Sequence, residues 1–283
     1  MQVFEKKSEL KNYLSAVKAA NKTIGFIPTM GALHQGHLSL VTKAAEKNDL
    51  TVVSIFVNPT QFNNPSDLEN YPKTLSEDMA LLESVDCSVL FLPSVSDMYA
   101  ETVTATSFDF DGIEHEMEGQ FREGHFDGVG TIVKALFECV TPTASYFGEK
   151  DFQQLQIVKK LAEKHHLPVV VEGCEIYREA DGLAMSSRNK RLSKAHRMAA
   201  PFIYKTLQLA QERFETHTAN EVTAWVEAQF ENRPLLCLEY FTIADETTLK
   251  AIEAPKKNEK YRAFIAVFAE DVRLIDNIQL NEK

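Results

Sequence analysis

Cysteine is scarce: four residues in 283, Cys87, Cys139, Cys174 and Cys237, with no two in a CxxC pair. Spacing this wide argues against a disulfide framework or a cysteine zinc site, so buried free thiols are expected. Long hydrophobic runs are also missing. No apolar stretch reaches the ~20 residues that a membrane span requires, and Met1-Gln2-Val3-Phe4-Glu5-Lys6-Lys7 lacks the apolar core of a signal peptide. A cytoplasmic protein without a membrane partner is expected. Positive charge falls short as well, 30 Lys+Arg against 41 Asp+Glu for a formal net charge of -11. That balance argues against wrapping a nucleic-acid backbone, and an anionic ligand would need a local basic pocket. With only 11 Gly and 10 Pro, and 44% hydrophobic residues, collagenous and disordered classes are ruled out.

The first half alternates β-rich runs with helical patterns, the rhythm of parallel βαβ units. Residues 24–29 read as a first strand and 50–57 as a second, with a helix stripe of Leu38, Leu40, Val41, Ala44 and Ala45 between them. Thr74-Leu75-Ser76-Glu77 has the capping-box pattern and opens a helix through Leu82, followed by a strand over 88–92. Further helices are expected at 129–137 and 152–162, and strands at 145–147 and 169–171. Beyond Gly173 the rhythm changes to helices at 194–211 and 220–230, then strand-like runs at 236–243, 262–268 and 272–275. The fold class expected is α/β: a doubly wound, Rossmann-like parallel-sheet domain over 1–175 with a smaller C-terminal α+β domain over 176–283. Ligands of such sheets sit at the carboxyl ends of strands.

Two segments carry chemistry. Pro28-Thr29-Met30-Gly31-Ala32-Leu33-His34-Gln35-Gly36-His37 lies between the first strand and the first helix stripe. A strand-to-helix turn presents free backbone N–H groups and the positive end of a helix, where a phosphate is held favourably. His34 and His37, three apart, could face one way and donate to a phosphoryl group, or could cap the helix; zinc binding is a minor third reading, because no third ligand stands at metal-like spacing. Neither the P-loop pattern nor GxGxxG is present. The second segment, Asp181-Gly182-Leu183-Ala184-Met185-Ser186-Ser187-Arg188-Asn189, offers two hydroxyls and a guanidinium that could wrap a polyphosphate, or could be a polar surface loop.

Together these segments are similar to the HIGH and KMSKS signatures of the nucleotidyltransferase superfamily. The likeness narrows with Phe56-Val57-Asn58-Pro59-x-Gln61-Phe62, Gly124-His125-Phe126-x-Gly128-Val129 and Phe147-Gly148-Glu149-Lys150-Asp151-x-Gln153-Gln154, which in this order resemble the pantothenate synthetase family. The resemblance implies joining of pantoate to β-alanine through a pantoyl adenylate, with ATP as substrate, Mg2+ as cofactor, and a homodimer. It implies that His34 and His37 contact phosphates within a nucleotide-binding turn of Met30, Gly31, Ala32, Leu33, His34, Gln35, Gly36 and His37, and that Lys150, Ser186, Ser187 and Arg188 grip the same groups. Gln61 and Gln154 would read pantoate, with Asn58 ordering the pocket and Arg122 assisting. Gly148 and Asp151 would lie near the ribose, with Glu149 in the same nucleotide-binding segment, and backbone around Tyr177 and Met185 near adenine. Tyr177 stands where the family has a small aliphatic residue, and Gln120-Phe121-Arg122-Glu123 replaces the usual Ser-Arg-Pro context. Magnesium is expected on Asp78, with Glu77 beside it, or else mostly on ATP's own phosphates and water. Two other readings are a nucleotidyltransferase acting on a phosphorylated acceptor, for which Gln61 and Gln154 would be useless, and a catalytically dead nucleotide-binding module.

Overall fold

The computed structural model describes residues 1–62, 68–69, 71–99, 102–256 and 258–281. It divides into two compact units: Met1–Glu149 with Gln153–Glu175, and Lys150–Phe152 with Ile176–Lys283.

In the first unit six parallel strands, β1 (Gln2–Phe4), β2 (Ile24–Thr29), β3 (Leu50–Ile55), β4 (Val89–Phe91), β5 (Ala144–Gly148) and β6 (Val170–Cys174), form one sheet in the order β1-β4-β3-β2-β5-β6. The longer helices are α1 (Lys7–Ala19), α2 (Gln35–Lys47), α3 (Leu75–Glu83), α4 (His125–Val140) and α5 (Phe152–Lys164). The strands are apolar because helices cover both faces: Phe26, Ile27, Val52, Val53 and Leu90 are fully buried. From β2 the chain runs outward to β3, then returns to lay β5 on the other side of β2. The carboxyl ends of β2 and β5 therefore flank the switch point, where doubly wound sheets bind ligands. The helix stripe expected between β2 and β3 is α2, whose Leu38, Leu40, Val41 and Ala44 are buried while Ala45 is exposed.

The second unit contains α6 (Lys194–Ala199), α7 (Phe202–Phe214), α8 (Ala219–Phe230) and an antiparallel sheet of β7 (Cys237–Asp245), β8 (Tyr261–Ala269) and β9 (Val272–Gln279). Ile203, Leu207, Val222 and Val226 pack with Ile265 and Val267 in its core. The single helix expected over 194–211 is two, broken at Ala200-Pro201, because proline supplies no N–H to continue the ladder. The α/β class with a smaller α+β unit is as expected from sequence. Of the cysteines, Cys87, Cys139 and Cys174 are buried free thiols, whereas Cys237 at the start of β7 is exposed.

Candidate active site

At the end of β2 the chain turns through Met30-Gly31-Ala32-Leu33 into His34, the N-cap of α2, with Gln35 and Gly36 in the helix's first turn. Two turn residues are left-handed, Gly31 at φ 83° and Ala32 at φ 50°. That conformation costs an alanine roughly 1–2 kcal/mol, so something must hold it. Asp78, in the first turn of α3, does so: Ala32 N–H donates to its Oδ2 at 3.0 Å and Leu33 N–H to its Oδ1 at 2.7 Å. Its side chain is only 2% exposed. Thr74 Oγ1 donates to the same Oδ2 at 3.2 Å, so the capping box expected of Thr74 and Glu77 does not form. Both oxygens of Asp78, the residue expected to hold magnesium, are thus turned to backbone N–H groups of the loop. Among the described residues no group of three His, Cys, Asp or Glu gathers as cation ligands.

The two histidines are brought together at the entrance of α2. His34 N–H donates to His37 Nδ1 at 3.3 Å, and the ring centroids are 4.1 Å apart. Because Nδ1 accepts, the neutral His37 ring carries its proton on Nε2 and is a donor there. That tautomer suits a phosphate oxygen.

Gln61 is the centre of a second group, in the short turn Pro59–Gln61 after β3. Asn58 Nδ2 donates to Gln61 Oε1 at 3.1 Å and to Gly128 O on α4 at 3.0 Å. Asn58 Oδ1 in turn accepts from Thr60 Oγ1 at 3.1 Å and from the Tyr99 hydroxyl. With its oxygen occupied, the Gln61 amide donates through Nε2 to Met30 Sδ at 3.2 Å. A thioether is a weak acceptor, so a ligand oxygen would be a better partner. The Gln61 carbonyl is fixed by buried His125 Nδ1 at 2.8 Å, and Arg122 Nη2 lies 3.5 Å from it. Met30, Asn58, Gln61, Arg122 and His125 thus form one connected group. The close approach of α4 to this turn depends on Gly128, where a Cβ would lie 2.4 Å from Thr60 O and 2.8 Å from Gln61 Cα.

Gly148 and Glu149 leave β5 at the switch point. At the start of α5 the adjacent glutamines diverge. Gln153 is buried, its Nε2 donating to Ile113 O at 2.8 Å and Glu116 O at 2.7 Å while its Oε1 accepts from Glu118 N–H. Gln154 is half-buried. Neighbours on a helix point ~100° apart, so the two glutamines face different surroundings.

In the second unit, residues 177–185 form a tight hairpin. Met185 N–H donates to Tyr177 O at 2.9 Å and Glu179 N–H to Leu183 O at 2.9 Å, around Gly182 at φ 89°. The Tyr177 side chain is exposed and its main chain is what the hairpin uses. Ser186 caps the short helix Ser187–Arg191 by accepting from Arg188 N–H. The loop's arginines divide sharply. Arg178 forks onto Asp276 at 2.7 and 3.0 Å, Arg191 pairs with Asp271 at 2.8 Å, and Arg197 with Glu179 and Asp181 at 2.6 Å each. The exposed Arg188 engages no carboxylate among the described residues. Lys150 Nζ lies 4.0 Å from Asp151, and Lys150 O accepts from Asn277 Nδ2 at 3.0 Å. Asp276, Asn277, Gln153 and Gly128 carried no assigned role in the sequence reading. No local signal pointed to Asp276 or Asn277; Gly128 and Gln153 stood inside motifs without a role, and for Gln153 the helical period was the available signal.

The pantoate-beta-alanine ligase family model matches residues 2–279. The chain belongs to this family. It is 55% identical over 281 residues to the pantothenate synthetase of Flavobacterium psychrophilum, covering 99% of this chain and 100% of that one. It is 54% identical to the pantothenate synthetase of Christiangramia forsetii, again over 99% and 100%. The crystal structure of the pantothenate synthetase from Thermus thermophilus aligns at a TM-score of 0.91 and 36% identity over 100% of both chains. The pantoate-beta-alanine ligase of Francisella tularensis, solved with beta-gamma ATP and beta-alanine, aligns at 0.82 and 34% over 100% of this chain and 99% of that one. The family match runs through both units and takes in all five motifs. No helix among the described residues is long and apolar enough to cross a membrane.

Proposed function

We propose that this chain condenses (R)-pantoate with β-alanine to give pantothenate, using ATP and passing through a pantoyl adenylate. The observation that carries the reading is the ligase-family match over residues 2–279, which includes both His34-Gln35-Gly36-His37 and Met185-Ser186-Ser187-Arg188. In the first step a pantoate carboxylate oxygen bonds to the α-phosphorus of ATP and pyrophosphate leaves. In the second the β-alanine amine attacks the acyl carbon, loses a proton, and AMP departs with the former carboxylate oxygen.

Negative charge moves onto the departing pyrophosphate, so donors already in place there act on the transition state. His37 through Nε2, and His34, are the donors at the positive end of α2, with the backbone of residues 30–37 around the nucleotide. Lys150, Ser186, Ser187 and Arg188 are the remaining phosphate ligands, and Arg188 is favoured over its neighbours because they are committed to carboxylates. Gln61 donates to a pantoate oxygen in exchange for Met30 Sδ, held by Asn58 and Arg122, and Gln154 reads the other end of the acid. Gly148, Glu149 and Asp151 accompany the ribose, and the main chain at Tyr177 and Met185 the adenine, a role that leaves the Tyr177 side chain out of the contact.

A Mg2+ ion bound with the triphosphate would supply charge neutralisation there, while the Ala32 and Leu33 N–H groups engage Asp78 at the loop. Residues 1–175 serve the nucleotide and pantoate, and 176–283 bring the Met-Ser-Ser-Arg segment. A cytoplasmic homodimer is the assembly proposed; three buried reduced thiols suit a reducing compartment.

The test is product analysis. With ATP, Mg2+ and pantoate alone the enzyme should form one equivalent of pyrophosphate, and AMP should appear only after β-alanine is added. Release of ADP would refute the adenylate route.

A further inference from the structure

The second unit contains a polar node that the reaction chemistry does not use directly. Asp276 and Asn277 are adjacent on β9, 4% and 2% exposed. Asp276 receives both arms of Arg178, whose Nη1 also donates to Gly182 O at 3.1 Å and whose Nη2 lies 3.4 Å from Asn277 O. Arg178 is further pinned by the Tyr204 ring, 3.5 Å from its guanidinium carbon. This arginine opens the hairpin that ends in Met185-Ser186-Ser187-Arg188, so Asp276 holds the base of that loop.

Asn277 holds the other phosphate segment. Its Nδ2 donates to Lys150 O at 3.0 Å while its Oδ1 accepts from Arg262 Nη1 at 2.7 Å, which fixes the amide's orientation. Arg262 in turn donates to Glu246 at 2.8 Å and lies 4.0 Å over the Phe152 ring, whose centroid is 5.9 Å from that of Phe264. Lys150, Asp151 and Phe152 are thereby seated on β8 and β9, which is why these three residues belong to the second unit although they follow β5. Burial pushes the Asp276 carboxyl up, and the Arg178 fork, with Lys150 nearby, acts against it. A buried ion pair adds little net stability compared with apolar packing, but it does fix geometry.

We infer that Asp276 and Asn277 are positioning residues for the adenylation step, tying Lys150 and the Ser186, Ser187, Arg188 segment to one strand so that the phosphate-gripping groups keep a fixed mutual geometry. The inference rests on the reading of Lys150 and Arg188 as triphosphate ligands. An error of about 1 Å at such groups is enough to cost on the order of 100-fold in rate.

Asn277→Asp tests this most directly. The carboxylate keeps an acceptor for Arg262 and sets an oxygen against the Lys150 carbonyl. Single-turnover pyrophosphate release at saturating ATP and pantoate should fall by about 10- to 100-fold, with an unchanged KM for pantoate and a melting temperature lowered only modestly by the lost buried hydrogen bond. In a Lys150→Ala background the same substitution should have almost no further effect, because residues acting through one another are not additive. A folded N277D enzyme with the wild-type rate overturns the inference, and so does an equal loss in the Lys150→Ala background. If N277D does not fold, Asn277→Ser, too short to reach Lys150 O, takes its place with the same expectation, and failure of that variant to fold would make Asn277 purely structural and overturn the inference too. Full activity of Lys150→Ala would instead sink the phosphate-ligand reading from which the inference starts.

Discussion

Gly128→Ala is a change of one methyl group that should separate pantoate binding from nucleotide binding. On propensity alone it should help, since alanine is favoured over glycine inside a helix by about 1 kcal/mol. The structure opposes it. The new Cβ would sit 2.4 Å from Thr60 O, and ordinary contact begins at 3.4 Å, so α4 and the Pro59–Gln61 turn must part by about 1 Å. Neither neighbour is a flexible side chain end; both are backbone. Overpacking of this kind costs about 1–3 kcal/mol, and stretching the 3.0 Å Asn58–Gly128 bond adds about 1 kcal/mol. The clash wins, and a net loss of about 1–3 kcal/mol should lower the melting temperature by roughly 2–12 °C. Because Asn58 also orients Gln61, the KM for pantoate should rise by about tenfold, the equivalent of about 1.4 kcal/mol, while the KM for ATP stays within about twofold. Steady-state kinetics with each substrate varied in turn, beside a thermal melt, gives both numbers. Gly148→Ala is the companion, since its Cβ would meet nothing within 4 Å. It should melt like the wild type and disturb only ATP. A Gly128→Ala enzyme with normal stability and normal pantoate KM would refute the reasoning.

Asp78→Asn places an amide NH2 against either the Ala32 or the Leu33 N–H and removes a charge-assisted bond worth about 1.5–3 kcal/mol. The KM for ATP should rise and extra Mg2+ should not restore it; rescue by Mg2+ would return Asp78 to the metal. His37→Ala should lose about 3 kcal/mol of transition-state stabilisation with little change in melting temperature, and comparable losses in both would make the histidine structural. The Arg197 hydrogen bond holds the Asp181 carboxyl below its ordinary range. A depressed folded-state value means that its stabilisation is present above the ordinary carboxylate range and disappears as pH falls through the depressed one. The exposed pair contributes on the order of 1 kcal/mol or less, so the small difference in melting temperature between wild type and Asp181→Asn should vanish under acid. A difference that persists at the lowest pH would contradict the ion-pair origin.

Much of the fold was legible because burial writes itself into the sequence as runs and stripes. Residues 24–29 and 50–57 are nearly unbroken apolar stretches, and only a strand covered on both faces needs that. The edge strand Gln2–Phe4 was not legible: three residues with exposed or half-buried side chains give no period to count. Helix α1 buries only Leu10 and Leu14 and likewise escaped notice. At the site, the turn carrying His34 and His37 could be read because its residues are neighbours in sequence. The long-range braces of Leu33 and of Lys150 could not. Asp78 meets Leu33 across 45 positions and Asn277 meets Lys150 across 127, and no local pattern encodes such a meeting.

Two assignments at the site turn on the same physical question. A carboxylate near a phosphate-binding motif suggests a metal, yet the backbone N–H groups of a left-handed turn attract the same charge, and burial decides between them. Asp78 is almost inaccessible and both its oxygens accept from amides, so its charge acts on the loop. The arginines of 178–197 show the same sorting. In sequence they are equivalent cations clustered around a polar loop, and any of them could be assigned to phosphate. Three are already neutralised by Asp276, Asp271 and the Glu179 and Asp181 pair, and taking one of them for a ligand would leave a carboxylate without its cation. Arg188 can turn to a triphosphate without that loss.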